Sequence, residues 1–319
     1  MEMDKITNGT LQEIPIDKII RNPENPRTIF RQNELDSLIE SIRQFGVQVP
    51  ISVFKKGKNY VIVDGERRWR CSLKLNKKTI PAIIQEEPSP LNNLLLMFNI
   101  HALREQWDLF TIAKKLPEVI NLLKEEYDKT PTEREIAAKT GLLISQIRRC
   151  KVLIDLPDHY KDMLLDELHK PKSKQRLSED MFLEMEKAIT RVEKNIPDAV
   201  SSDKNFVRDI LIKKYQNEVI DNVVDFRLIS KIVGGLKIED GREELTRKTL
   251  KKLFNDNNYS IRSAYQDSVS DLYLEKDFLS RIHSLINRFD SFEPSDLDTD
   301  TKLALESLIT KATKLLEDE

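Results

Sequence analysis

Glycine is scarce in this chain, with 8 residues in 319, so a glycine placed at a junction between elements asks for a reason. Cysteine is scarcer still. Cys71 and Cys150 fall in separate predicted helices and share no metal-ligand or redox spacing. That excludes a disulfide scaffold or a thiolate metal cluster and points to a reducing compartment. No apolar run approaches the roughly 18 residues of a membrane-spanning helix, and MEMDKITNGT has no signal-peptide pattern. The expectation is a soluble cytoplasmic chain with no membrane partner. An excess of one charge is also missing, because 33% of residues are charged yet the net charge is −2. The molecule is no polycation, so any contact with nucleic acid depends on local basic patches.

What is present divides into three parts, with expected boundaries at 1–90, 91–160 and 161–319. The first part mixes periods: LQEIPIDKI is a short apolar stretch and NPENPR a proline-rich turn. Leu35, Leu38, Ile39, Ile42 and Phe45 then follow helical spacing up to Gly46, placed as a C-cap. GVQVPISVF and YVIVDG read as strands that pair as a hairpin across KKGKN. Beyond EEPSP the periodicity is helical almost to the end, interrupted at NIPDAV, VGGLKIEDG and FEPSD. In the last segment Leu305, Leu308, Ala312 and Leu315 form a short seam. Docking on the chain's own domain is the more ordinary use of such a seam, and a dimer contact the other.

Residues 60–70, YVIVDGERRWR, place Gly65 between an apolar strand, alternating about Tyr60 and Ile62, and a helix whose apolar positions are Trp69, Leu73 and Leu75. A helix N-terminus presents unpaired N–H groups, and arginine forks beside it complete a site for phosphate or carboxylate. The bland alternative is an arginine-rich helix face holding structural ion pairs. Farther on, PTEREIAAKTGLLISQIRRCKVLIDLP opens with a capping box, Thr132 to Glu135. Ala137, Gly141 and Ile147 stand where a helix-turn-helix wants a small residue, a turn residue and an apolar anchor. Ser145, Gln146, Arg148, Arg149 and Lys151 would lie mainly on the exposed side of the second helix, facing base edges and phosphates. An ordinary helical hairpin with a solvated polar face is the competing reading.

Taken in order, IPIDKI, NPENPR, ELDSLIESIRQFG, VQVPI, DGERRWR, NIHALREQW and the helix-turn-helix ending in LP resemble the ParB family of DNA-segregation proteins. The likeness covers roughly residues 11–157, and GERRWR is its most specific part. It implies an α+β N-terminal domain of ParB/sulfiredoxin type followed by mostly α-helical domains that include the helix-turn-helix. It also implies a site for CTP and Mg2+, in which Gly65, Glu66, Arg67 and Arg68 act with Asn99 and Arg104. The family's metal-associated glutamate before Asn99 is replaced by Phe98, which implies slow hydrolysis or none. The family's Gln-Pro pair is Val49-Pro50, and Cys71 follows the RWR. The function implied is DNA binding in plasmid or chromosome partition, with duplex DNA, a partition ATPase and a second copy of the chain as partners, at the nucleoid. The alternatives are a nuclease using Asp64, Glu66 and Glu105, or a regulator of a mobile element. Sulfiredoxin chemistry needs a cysteine in the phosphate box, where this chain has Glu66.

Overall fold

The computed structural model describes residues 9–25, 32–102, 107–200, 203–293 and 296–317. Backbone proximity divides the chain into two compact units, Met1–Glu186 and Lys187–Glu319. The first begins with a five-stranded mixed sheet. Its strands are β1 (Thr10–Pro15), β2 (Ile19–Ile20), β3 (Ile51–Lys56), β4 (Asn59–Asp64) and β5 (Thr79–Gln85), in the order β1-β5-β3-β4-β2. β3 and β4 pair antiparallel across the turn at Gly57 and Lys58, as the hairpin pattern predicts, and β3 runs parallel to β5. Helices α1 (Gln32–Phe45) and α2 (Glu66–Lys74) pack together against this sheet.

The core under the sheet is built from Ile14, Ile16, Ile19, Ile51, Val53, Ile62, Ile80 and Ala82. A second cluster joins Leu35 and Ile42 of α1 to Cys71 of α2. β4 departs from the alternation read in its sequence: Val61, Ile62 and Val63 are all buried. A strand inside a sheet covered on both faces buries consecutive residues, and period-two patterning is lost. α2 departs as well. It buries Glu66, Cys71 and Ser72, whereas Leu73 is 40% exposed, because α1 packs against the Cys71 side. Burial holds the Cys71 thiol above its ordinary pKa, which suits an inert structural cysteine.

Helices complete the first unit: α3 (Pro90–Met97), α4 (Leu109–Tyr127), α5 (Glu133–Thr140), α6 (Ile144–Ile154) and α7 (Asp158–His169). The division between units falls within α8 (Glu179–Asn195). The second unit holds α9 (Lys204–Gln216), α10 (Phe226–Gly234), α11 (Glu243–Asn255), α12 (Ile261–Gln266), α13 (Ser270–Phe289) and α14 (Thr299–Glu317). None of the described helices is long and apolar enough to cross a membrane. The seam on α14 does not dock on its own unit. Leu308 is 43% and Leu315 70% exposed, and α14 has no buried residue among those described. α13 likewise buries none, and it exposes Leu274, Phe278 and Ile286 by 50% or more.

Inside the second unit Lys214 is 1% exposed, and its ammonium donates to the carbonyls of Leu253 and Tyr259. The Leu253 carbonyl lies in the last turn of α11, where backbone acceptors lack intrahelical donors, so the lysine acts as a buried C-cap. Burial disfavours the charge and lowers this pKa from 10.5 to about 8, with Asp256 pulling weakly the other way. As pH rises above about 8 the native lysine sheds a proton that the unfolded chain keeps until about 10.5, so this group makes folding more favourable across that window. The urea midpoint of the wild type relative to Lys214→Met is expected to rise between those two pH values. A difference that stays constant with pH would show that the lysine is not buried as described.

Candidate functional site

Gly65 joins β4 to α2 with φ +96° and ψ +20°, a left-handed conformation that side chains resist. Space enforces the same choice: a Cβ here would lie 2.6 Å from Ile51 Cγ2 and 3.1 Å from Arg68 Cζ. The glycine thus lets α2 start hard against β3. Its carbonyl accepts the first helical hydrogen bond, from Trp69 N at 3.0 Å.

Glu66 follows and is 5% exposed. One carboxylate oxygen accepts from Arg70 Nε and Nη2 at 2.9 and 2.7 Å and lies 3.4 Å from Arg21 Nε. The other accepts from Asn25 Nδ2 at 2.7 Å. Buried carboxylates persist where cations and amides satisfy both oxygens, which is the case here. Arg68 is committed in the opposite direction. Its guanidinium donates to the carbonyls of Val49 and Pro50 at 2.6 and 2.5 Å and to Asp64 Oδ2 at 3.0 Å. The arginine therefore fastens the loop between α1 and β3 to the start of α2. Arg67 is half-buried beside them.

The NPEN turn is tied down at further points. Asn22 and Asn93 exchange side-chain hydrogen bonds at 2.9 and 3.3 Å, both buried, which links the turn to α3. Glu24 accepts from Lys115 Nζ of α4 at 2.8 Å, and Glu118 holds the same ammonium at 2.8 Å. Burial alone would raise the Glu24 pKa, but the hydrogen bond and charge of Lys115 outweigh it and the carboxyl lies below its ordinary value. Arg21, Asn22, Asn25, Arg70, Asn93 and Lys115 were not singled out by motif reasoning. The available signal was the run of amides and charges in RNPEN, whose partners lie up to 91 residues away.

Of the remaining residues expected here, Asn99 lies on a π-helical turn, Phe98–Ala102, is exposed, and donates to the Leu95 carbonyl at 2.9 Å. No hydrogen bond among the described residues joins it to Gly65–Arg68. Arg104 and Glu105 lie outside the described residues. Phe98 is fully buried, its ring edge-on to Trp107 at 5.3 Å and 80°. It is a packing residue, so that position offers no oxygen to a cation. Asp64 and Glu66, which a nuclease would need, both face arginines. No group of three or more metal-ligating side chains occurs among the described residues.

The second candidate surface is α5, the turn 141–143 and α6. Thr132 and Glu135 form the expected capping box, with Glu135 N donating to Thr132 Oγ1 at 3.2 Å and Thr132 N to Glu135 Oε2 at 2.7 Å. Lys129 and this box hold the half-buried Glu135 carboxyl down at about 2. Gly141 closes α5 with φ +75°. Ile136, Leu142, Ile147, Cys150 and Leu153 are buried, while Ser145 and Arg148 are exposed. Gln146 accepts from Leu143 N at 3.0 Å and so caps α6. Glu133 holds Arg148 Nε at 2.8 Å and Lys151 Nζ at 3.1 Å, and those hydrogen bonds, Arg148's first, lower its pKa. Arg149 pairs with Asp180 of α8.

Residues 1–97 match the family model of the ParB N-terminal domain. The chain carries a ParB N-terminal domain. A chromosome-partitioning protein ParB of Caulobacter vibrioides (strain NA1000 / CB15N) is 33% identical over 161 residues, covering 49% of this chain and 50% of its own length. A nucleoid occlusion protein of Listeria monocytogenes (serotype 4a, strain HCC23) is 32% identical over 173 residues, covering 52% and 58%. The chain spans about half the length of the curated relatives it matches. A solved structure of C-terminally truncated ParB from Caulobacter crescentus, complexed with CTP-gamma-S, shares 31% identity over 50% of this chain and 87% of that one, with a TM-score of 0.29. In this ParB N-terminal domain, the GERRWR box is thus a knot of ion pairs that also shapes a strand-to-helix junction.

Removing the carboxylate at its centre takes away the buried acceptor that Arg21, Arg70 and Asn25 share. Glu66→Ala is expected to destabilise the protein by about 3–5 kcal/mol, the usual loss when one member of a buried ion pair is deleted. Urea unfolding measures it, and a change under about 1 kcal/mol, the range of exposed pairs, would show that the site is open to water.

Proposed function

We propose that this chain is a ParB-like DNA-binding protein of chromosome or plasmid partition, in which α5 and α6 form a DNA-reading helix-turn-helix and the GERR box is a CTP-type nucleotide site. The observation that carries the reading is the junction at Gly65. There a ParB N-terminal domain starts α2 on a glycine with no room for a side chain, with arginines of the box at the helix N-terminus. First-turn N–H groups favour phosphate, and a triphosphate could recruit Arg67 and Arg68 with Asn99 and Arg104. Since Arg68 already holds two carbonyls and Asp64, nucleotide contact would exchange partners and loosen the loop at Val49 and Pro50. That is a route from ligand to domain arrangement. Mg2+ would supply charge neutralisation, held by phosphate and water, because the Phe98 position gives it no carboxylate.

On α6, Ser145, Gln146, Arg148, Arg149 and Lys151 would face duplex DNA. The ion pairs with Glu133 and Asp180 are exposed, so exchanging them for phosphates or base edges costs little. The exposed apolar faces of α13 and α14 suit a second copy of the chain, as reading a palindromic site requires. A partition ATPase would be the further partner, and the nucleoid the place of action.

Two measurements test this reading. Calorimetry of the full chain with CTP, ATP and GTP, each with Mg2+ and duplex DNA, is expected to give binding heat for CTP and little turnover. No heat above dilution for any nucleotide would remove the site. Light scattering at micromolar concentration is expected to give twice the chain mass, and a monomer there would leave the α13 and α14 faces without the partner assigned to them.

A further inference from the structure

The segment from the last residue of α7 onward reads HKPKSKQR, and residues 168 to 178 contain His169, Lys170, Lys172, Lys174 and Arg176 with no carboxylate. In a chain of net charge −2 this is a concentrated local cation. Basic surface runs are usually just solvated, so exposure alone would say nothing. This one is held in a fixed shape. Glu167, 5% exposed, accepts from the backbone N–H of Arg176 at 2.7 Å and of Leu177 at 3.4 Å and pairs with Lys170 at 2.5 Å. Gln175 donates to the Lys170 carbonyl at 3.0 Å, and the 3-10 turn Lys172–Lys174 closes on Pro171 at 2.8 Å. Leu177 is buried behind it. A buried carboxylate thus pins the loop from within, while Lys172 and Lys174 stay exposed and carry no ion pair among the described residues.

Its position matters as much as its charge. Arg176 precedes Asp180 by four residues, so their Cα atoms lie within about 14 Å even if the chain between them is fully extended. Asp180 is the partner of Arg149 on α6. The C-terminal end of the basic loop is therefore tied close to the helix assigned to DNA. A helix lying in a major groove about 12 Å wide has a phosphate backbone along each side, so cations near such a helix are candidates for phosphate contact.

Resting on the DNA-binding reading of α6, we propose that the loop 169–176 is a second DNA contact, a phosphate clamp in which Lys172 and Lys174 grip the duplex backbone beside the recognition helix. It contributes affinity without sequence preference, since phosphates carry no base identity. Each lysine that neutralises a phosphate releases a counterion and steepens the salt dependence by about one unit of logarithmic slope.

The test uses the full chain and a fluorescein-labelled random-sequence duplex, titrated by anisotropy between about 50 and 200 mM salt, the range over which phosphate contacts dominate. Lys172→Gln with Lys174→Gln is expected to flatten the slope by about two units relative to wild type, with an unchanged melting temperature. Lys55→Gln with Lys58→Gln, two exposed lysines of the β3–β4 hairpin, removes the same net charge and is expected to leave the slope in place. If the loop variant binds like wild type while Arg148→Ala binds more weakly, the clamp is wrong and α6 keeps its role. If both lysine pairs flatten the slope alike, the effect is global charge and the clamp is wrong. If wild type shows no salt-dependent affinity for any duplex, the reading of α6 fails and this inference falls with it. A loop variant that loses binding to anionic lipid vesicles but not to duplex would also overturn the proposal, by assigning the cations to another polyanion.

Discussion

The N-terminal domain turns on one buried carboxylate. Glu66 sits at the first position of α2, where a negative charge also complements the helix dipole, and gathers Arg21, Asn25 and Arg70 around its two oxygens. Through Asn25 and Arg21 it holds the NPEN turn; through its place after Gly65 it holds the junction of sheet and helix. Asn22 and Glu24 then carry the same turn to α3 and α4. Four separate segments of chain converge on a patch that no hydrophobic contact would order so specifically, because ion pairs and amide pairs require both partners in place.

That arrangement has an electrostatic consequence for any anionic ligand. The arginines of the box are not idle surface charges awaiting phosphate. Arg70 neutralises Glu66 and Arg68 satisfies two backbone carbonyls, so these forks are already oriented by the protein. Preoriented donors lose less entropy on binding, yet each bond transferred to a ligand releases a loop or a carboxylate. The same few hydrogen bonds hold Val49 and Pro50 on one side and the NPEN turn on the other, so an anion that drew on them would disturb both.

The helical remainder follows different economics. α6 is anchored by Ile147, Cys150 and Leu153 and meets solvent through cations paired at its rim with Glu133 and Asp180. In the second unit the buried Lys214 serves α11 as a cap, whereas α13 and α14 leave their apolar faces outside. Amphipathic periodicity says that such a face needs cover but is silent on what provides it, since the same heptad-like spacing serves an intramolecular core and an intermolecular seam alike.

From the residues alone one could read α1 in its apolar spacing, the hairpin in its turn, the capping box at Thr132, and the glycine junction before ERRWR, because each depends on neighbours within a few positions. The family likeness lay in short motifs of the same kind. What only the tertiary structure decided is which side of each element faces inward and which charges meet. It buried Val61, Ile62 and Val63 in a row, turned Phe98 into the core against Trp107, gave Glu66 to Arg21, Arg70 and Asn25 rather than to solvent, and left the α14 seam uncovered. Those outcomes depend on partners as far as 91 residues away, as for Glu24 and Lys115. Local propensity is set by a few adjacent side chains, but burial and ion pairing are set by whichever distant segment the packed chain brings within reach.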